Sequence, residues 1–196
     1  MIRFIDKAFI GGQLFTAGML GQFDAATEAA LIAVGDAANY PLPVLISQSY
    51  SAVTRSSKNG AGGSPLDTDY VTLASVTLPG GTMNYNGKVV IEQDWKCTSS
   101  VSTKNLRIDW GGTWMTGPSL TTSSRAWFTF AVKNANSLAV QTALNGTAFS
   151  AGTEVTAAVD TTKDVPIDFR CNWGANVASE SIILVGYSVW YYPGNT

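Results

Sequence analysis

The sequence predicts an all-β protein, an antiparallel β-sandwich of the jelly-roll type, preceded by a small N-terminal arm with one short α-helix. Strand-like runs follow one another throughout residues 67–196, and turn dipeptides such as Asn86-Gly87 and Asn145-Gly146 separate them. Helical periodicity is confined to residues 24–35. Many short strands at this spacing are typical of sandwiches and jelly rolls.

The arm covers residues 1–46 and contains the predicted helix, 24–35. Asp24 stands at the N-cap, Glu28 lies near the positive end of the helix dipole, and Gly35 occupies the position of a left-handed C-terminal cap. A helix of about three turns is marginal in water by itself. We therefore expect it to dock on the rest of the chain or on a partner.

Residues 47–66 change in composition and are rich in serine and glycine. Helical and strand periodicity is lost over the second half of this segment, which indicates a flexible tip at 55–64. The segment is predicted to be a linker between arm and sandwich, or a long loop within one domain.

The sandwich domain is predicted for residues 67–196. Its strands are expected at 70–78, 88–97, 104–110, 125–133, 137–144, 155–159, 165–173 and 181–192.

A hairpin between 88–97 and 104–110 would place Asp94 opposite Arg107 and Glu92 opposite Asp109 on a polar outer face. These carboxylates could form an acid/base pair or a calcium site. The neighbouring basic residues and the missing calcium-loop pattern favour a structural role for them instead.

Composition argues against enzymatic chemistry. The chain has no histidine, which removes the commonest general base, the usual partner of a nucleophilic serine or cysteine, and the most frequent zinc ligand. The glycine pairs lack the strand-to-helix setting of a phosphate-binding loop. We expect no catalytic residues, no metal and no cofactor.

Charge and hydropathy exclude other partners. The formal net charge of -2 provides no basic stripe for nucleic acid. The apolar run at 25–34 is interrupted by Glu28 and is much shorter than the roughly 20 residues that span a membrane, and the first ten residues lack a secretory signal pattern. Nucleic acid and membrane are therefore not expected as partners, and export by a secretory signal is not indicated.

The two cysteines, Cys97 and Cys171, each lie in a strand-like run and lack metal-ligand spacing. They are read as buried free thiols, with an inter-strand disulfide left open.

The last strand, 181–192, is apolar on both alternating faces. One face can fill a core, and the other requires a second sheet, another segment or a neighbouring subunit. Leu184, Trp190 and Tyr192 are therefore candidate interface residues.

Trp127 is the tryptophan with the strongest expectation of exposure, because Phe128 and Phe130 take the inward parity of its strand. It is assigned to an interface, with a sugar-stacking platform formed with Trp114, Trp173 and Trp190 as the alternative.

Two stretches carry a resemblance to a known class of protein. The run Leu73-Ala74-Ser75-Val76-Thr77-Leu78-Pro79-Gly80-Gly81, the turn Asn86-Gly87 and the segments 95–99 and 104–113 resemble the β-sandwich domain of tailed-bacteriophage virion proteins, among them head decoration and fibre proteins. Residues 17–37 are similar to short anchoring segments of capsid-associated proteins.

The resemblance implies a non-enzymatic structural protein that is synthesised in the host cytoplasm and lies on the capsid surface of the virion. The arm would bind the major capsid protein, with Phe23, Leu31 and Ile32 as contact candidates, and the sandwich would assemble as a homo-oligomer, a trimer by analogy with the family. Such a protein would decorate and cement the capsid. The alternatives are a head or tail fibre that binds a host-surface glycan, and a carbohydrate-binding module.

Overall fold

A computed structural model describes residues 2–4, 8–10, 13–15, 20–21, 27, 37–39, 43–58, 66–145 and 153–194. The chain divides into two compact units, Met1–Pro43 and Val44–Thr196.

The described residues of the first unit form five short strands that the sequence did not predict. They are β1 (Ile2–Phe4), β2 (Ala8–Ile10), β3 (Gln13–Phe15), β4 (Leu20–Gly21) and β5 (Ala37–Asn39). Strands β4, β1 and β5 form an antiparallel sheet in that order, and β2 pairs with β3. Of the predicted helix at 24–35, the described residue Thr27 is α-helical, and the rest lies outside the described residues, as do Phe23, Leu31 and Ile32.

The second unit is an antiparallel β-sandwich of two sheets, which confirms the predicted fold class. Its strands are β6 (Val44–Ser49), β7 (Val53–Ser56), β8 (Val71–Leu78), β9 (Lys88–Cys97), β10 (Lys104–Trp110), β11 (Thr113–Thr116), β12 (Ser119–Leu120), β13 (Arg125–Asn134), β14 (Gln141–Asn145), β15 (Thr153–Ala157), β16 (Val165–Trp173) and β17 (Ser181–Tyr192). The smaller sheet has the order β11-β10-β16-β8, and β12 also pairs with β10. The larger sheet has the order β15-β14-β13-β9-β17-β6, and β7 pairs with β17 beside β6.

Alternation along the strands builds the core between the sheets. In β9 every second side chain, from Val89 to Cys97, is buried, and the residues between them face outward. Trp95 from the larger sheet and Trp110, Phe169 and Trp173 from the smaller one are fully buried in the same core. The interior is therefore filled by large aromatic side chains from both layers.

The predicted hairpin between β9 and β10 is wrong. Strand β9 lies between β13 and β17, whereas β10 pairs with β16 and β11 in the other sheet. Both strands carry a complete apolar face, and the connection at 98–103 is long enough to cross from one sheet to the other. Each strand thus contributes to the core from its own side, a common arrangement in sandwiches.

The segment expected to be a linker or long loop, 47–66, instead contributes strands to the sandwich. The end of β6 and all of β7 lie within it, and both pair with β17. The Arg55 guanidinium explains the position of β7: it is buried, stacks 4.9 Å from the centre of the Trp173 ring, and donates hydrogen bonds to four backbone oxygens, including those of Leu66 and Cys171. A buried arginine with this many acceptors anchors the chain locally.

Strand β17 does not follow strict alternation, because two register shifts interrupt it. One shift falls between Leu184 and Gly186, opposite β9, and the other between Val189 and Trp190, opposite β6. Before the first shift, even-numbered residues such as Ile182 and Leu184 face the core. After it, odd-numbered residues such as Val189 face the core instead. Leu184, a candidate interface residue in the sequence, is 1% exposed and packs in the core of the sandwich.

Within the described part of the chain, no helix is long and apolar enough to span a membrane.

Candidate functional site

A cleft of about 150 Å³ opens on the outer face of the larger sheet, at the β17 register shift. The side chains that line it come from β9, β13, β17 and the turn after β6, and they include Tyr50, Glu92, Asp94, Trp127, Val185 and Ser188.

Strand register brings these residues together. Trp127 of β13 stands opposite Asp94 of β9, and Asp94 stands opposite Gly186 of β17. One step along, Glu92 stands opposite Ser188. Since residues of one parity share a face, the carboxylates form the floor of the cleft and Trp127 stands on its rim.

Gly186 makes room for the other side of the rim. A Cβ atom at this position would lie 2.8 Å from the Ser49 carbonyl oxygen and 3.0 Å from Cδ1 of Tyr50. The absence of a side chain therefore allows the Tyr50 ring to approach the sheet. Tyr50 is 78% exposed and Trp127 is 66% exposed, so two aromatic rings border the carboxylates in water.

Asp94 is neutralised by a neighbour on β13. Arg125 donates from Nε to Oδ1 at 3.1 Å and from NH2 to Oδ2 at 2.6 Å. The hydrogen bonds to Asp94 and its negative charge raise the pKa of Arg125. This bidentate geometry fixes both side chains at the edge of the cleft and presents an acceptor beside a donor.

Glu92 is held in a different way, by a chain of hydrogen bonds on β17. The Ser188 hydroxyl donates to Oε2 of Glu92 at 2.5 Å, and the Trp190 indole N–H donates to the Ser188 oxygen at 3.0 Å. Trp190 is half-buried and thus orients the serine rather than standing free on the surface. Ser188 is buried between them.

The remaining sequence-predicted residues lie apart from this cleft. Tyr192, 36% exposed, ends the same strand, and the Lys88 ammonium lies 4.9 Å from the centre of its ring. Of the predicted sugar platform, Trp127 and Trp190 are on this face, whereas Trp173 is fully buried and Trp114 projects from the smaller sheet. A four-tryptophan platform is therefore not formed.

The predicted carboxylate cluster also divides between the two sheets. Asp109 is buried in the smaller sheet, where it pairs with Arg107 and, at 2.8 Å, with Arg170. Glu92 and Asp94 remain together in the cleft. No group of three potential metal-ligating side chains occurs among the described residues.

Tyr50 is an aromatic cleft residue that sequence reasoning missed. It lies in a serine-rich stretch, and its position depends on the glycine and the register shift of a strand more than 130 residues away. The sequence singled out Glu92 and Asp94 but placed them beside the wrong strand.

Cys97 and Cys171 are free thiols and do not form the inter-strand disulfide that the sequence left open. Both are buried, and burial raises the pKa of each thiol to about 11. They are structural core residues without the thiolate character of reactive cysteines.

No protein-family model and no curated protein matches the chain. Among solved structures, it is similar to the CBM2 module of the evolved Dit of Lactobacillus casei BL23 phage J-1, with a TM-score of 0.33 and 9% identity over 60% of this chain and 67% of that chain. It is also similar to the family 7 alginate lyase A1-II', with a TM-score of 0.32 and 12% identity over 98% and 91%. A structure of infectious bursal disease virus, Gx strain, has a TM-score of 0.32 and 10% identity over 89% and 42%. Similarity at this level carries no argument about function.

Proposed function

We propose that this chain is a non-enzymatic glycan-binding protein and that the cleft on the larger sheet is its binding site. One observation carries the proposal: two aromatic rings, those of Tyr50 and Trp127, are left in water on either side of a polar floor. Exposed aromatic surface beside convergent polar groups is typical of a ligand site.

The chemistry of the cleft suits a sugar ring. A pyranose has apolar C–H faces that stack on the flat rings of Trp127 and Tyr50, and hydroxyls around its edge that need donors and acceptors. Glu92 and Asp94 supply acceptors and Arg125 supplies a donor. Because neighbouring strands and hydrogen bonds already fix these groups, binding costs little side-chain entropy.

A glycan array followed by titration calorimetry on the hits tests the proposal. Trp127→Ala should weaken binding by about 2 kcal/mol, which is roughly thirtyfold, because it removes a large aromatic face that the bound sugar would cover. Trp114→Ala is the matched control, since it deletes an exposed tryptophan on the other sheet. An array without a specific glycan, or equal effects of both substitutions, would refute a glycan site in this cleft.

A second candidate function is the virion role implied by the sequence resemblance: an oligomeric, capsid-bound protein that decorates and cements the shell by binding the major capsid protein. The observation that favours it is the outer side of β17, where half-buried Trp190 and partly exposed Tyr192 stand near the edge strand β6. Covered by another subunit, such apolar surface would stabilise an oligomer. Glycan binding and a virion location are compatible, as in a fibre.

Light scattering coupled to size exclusion tests the second candidate on the full-length chain. A concentration-independent mass of three chains supports a trimer, whereas a 20.7 kDa species at every concentration contradicts it. Capsids that survive heat and dilution equally well with and without the protein would contradict cementing.

A further inference from the structure

The charge balance of the cleft identifies the class of glycan, an inference that rests on the proposed function. Two carboxylates, Glu92 and Asp94, form the floor, and one guanidinium, that of Arg125, pairs with Asp94. Glu92 has no lysine or arginine nitrogen within 4.0 Å among the described residues. The site therefore carries one uncompensated negative charge.

The neighbours of Glu92 hold that charge in place without neutralising it. Ser188 donates to Oε2 at 2.5 Å, and the residues opposite Glu92 in register, Thr129 and Ser188, are uncharged. Glu92 is half-buried, so its charge is less screened by salt than a fully exposed one.

The aromatic rim of the cleft also favours a positively charged ligand. The faces of Trp127 and Tyr50 carry negative π-density and attract a cation as well as an apolar sugar face. Ring faces and a free carboxylate together disfavour uronic and sialic acids, whose carboxylates would be repelled. We infer that the cleft recognises a glycan with a free ammonium group, an amino sugar that is not N-acetylated, with Glu92 as the counter-ion.

Calorimetric titration of the full-length chain tests this with two matched probes, a β-1,4-linked glucosamine tetrasaccharide and its fully N-acetylated counterpart. We expect the amine form to bind at least tenfold more tightly. Glu92→Gln keeps an acceptor for Ser188 and removes the charge, so it should abolish the preference: the amine form should then bind no more tightly than the acetylated form. Glu154→Gln, at an exposed position of strand β15 in the same sheet, is the charge-matched control and should change neither affinity.

Salt provides a second measurement that requires no variant. Raising the ionic strength should weaken binding of the amine form and leave the acetylated form unaffected, because screening acts on the charge pair alone. Equal affinities for the two probes, or a loss on Glu154→Gln as large as on Glu92→Gln, would overturn the inference. If a neutral or acidic glycan binds with a dependence on Trp127 while the amine form does not, the glycan function stands and the amino-sugar assignment falls. If no glycan binds, the proposed function itself falls.

Discussion

Replacing Glu180 with glutamine tests the buried polar centre at one end of the sandwich. Lys104 is 0% exposed, and its ammonium lies 3.6 Å from Oε2 of Glu180, which also accepts a hydrogen bond from the Trp173 indole at 3.2 Å. The same ammonium donates to oxygens of Ser100 and Thr121. The glutamine keeps the shape and an acceptor for Trp173, so the substitution isolates the loss of one negative charge.

The expected cost follows from this geometry. Removing one partner of a buried ion pair costs about 3–5 kcal/mol, because the remaining charge is left without compensation. Lys104 would keep its three neutral acceptor oxygens, and its separation from Glu180 is long, so we expect a loss at the lower end, about 3 kcal/mol. For a domain of this size that corresponds to a decrease in Tm of roughly 6–12 °C. Glu154→Gln, which changes an exposed side chain, should alter the unfolding free energy by no more than about 0.5 kcal/mol.

The pH dependence separates this charge effect from a packing effect. Burial alone would raise the pKa of Glu180, but hydrogen bonds from Ser100, Ser102 and Trp173 and the charge of Lys104 outweigh it and lower the pKa. A carboxyl with a lowered folded-state pKa contributes stability above its unfolded pKa, and that stability is lost as pH falls through the folded pKa.

Urea unfolding of the wild-type protein and Glu180→Gln from neutral to acidic pH measures this directly. The difference in unfolding free energy should reach its full value at pH 7 and should shrink as the pH falls from the unfolded pKa of Glu180 through its lower folded pKa. A variant as stable as wild type at pH 7, or a difference that stays constant into the acid range, would refute the reasoning.

Three further substitutions or reactions have defined outcomes. Cys97 and Cys171, with pKa values raised to about 11, should not react with a thiol reagent at pH 8 in the native protein and should both react in denaturant; rapid native labelling would contradict their burial. Gly186→Ala should weaken glycan binding at least tenfold in calorimetry, since its Cβ would lie 3.0 Å from the Tyr50 ring and displace it from the rim; unchanged affinity would mean that Tyr50 is not part of the site. Trp95→Ala should lower the unfolding free energy by about 3–5 kcal/mol in urea titrations, because it empties a fully buried aromatic position; a loss below about 1 kcal/mol would contradict its place in the core.

Strands with strong local signals were predicted well. The bounds of β9, β10, β16 and β17 agree with the segments expected from alternation and turn dipeptides. Short strands such as β12, which has two residues, carry too little pattern to be recognised, and they form because a longer neighbour offers a free edge.

Alternation and turn dipeptides did not predict which strands are neighbours in a sheet. Strands β9 and β10 are consecutive and compatible as a hairpin, yet each is equally compatible with a place in a separate sheet, because alternation determines which residues face inward and does not determine the partner strand. The consequence for the site is large. Asp94 pairs with Arg125 across β9 and β13, rather than with Arg107, and Asp109 is removed to the other side of the molecule.

The unusual apolar content of β17 has a physical origin that also explains the cleft. Strict alternation assigns Ile182 and Leu184 to one face and Val189 to the other, yet the register shift before Gly186 places all three on the core side. A strand that changes parity within its length appears apolar on both faces in sequence, although each half has one buried face. The same shift places a glycine opposite Asp94 and opens the space beside Tyr50. One irregularity in the ladder therefore removes part of the need for a partner subunit and creates the surface at which a ligand can bind.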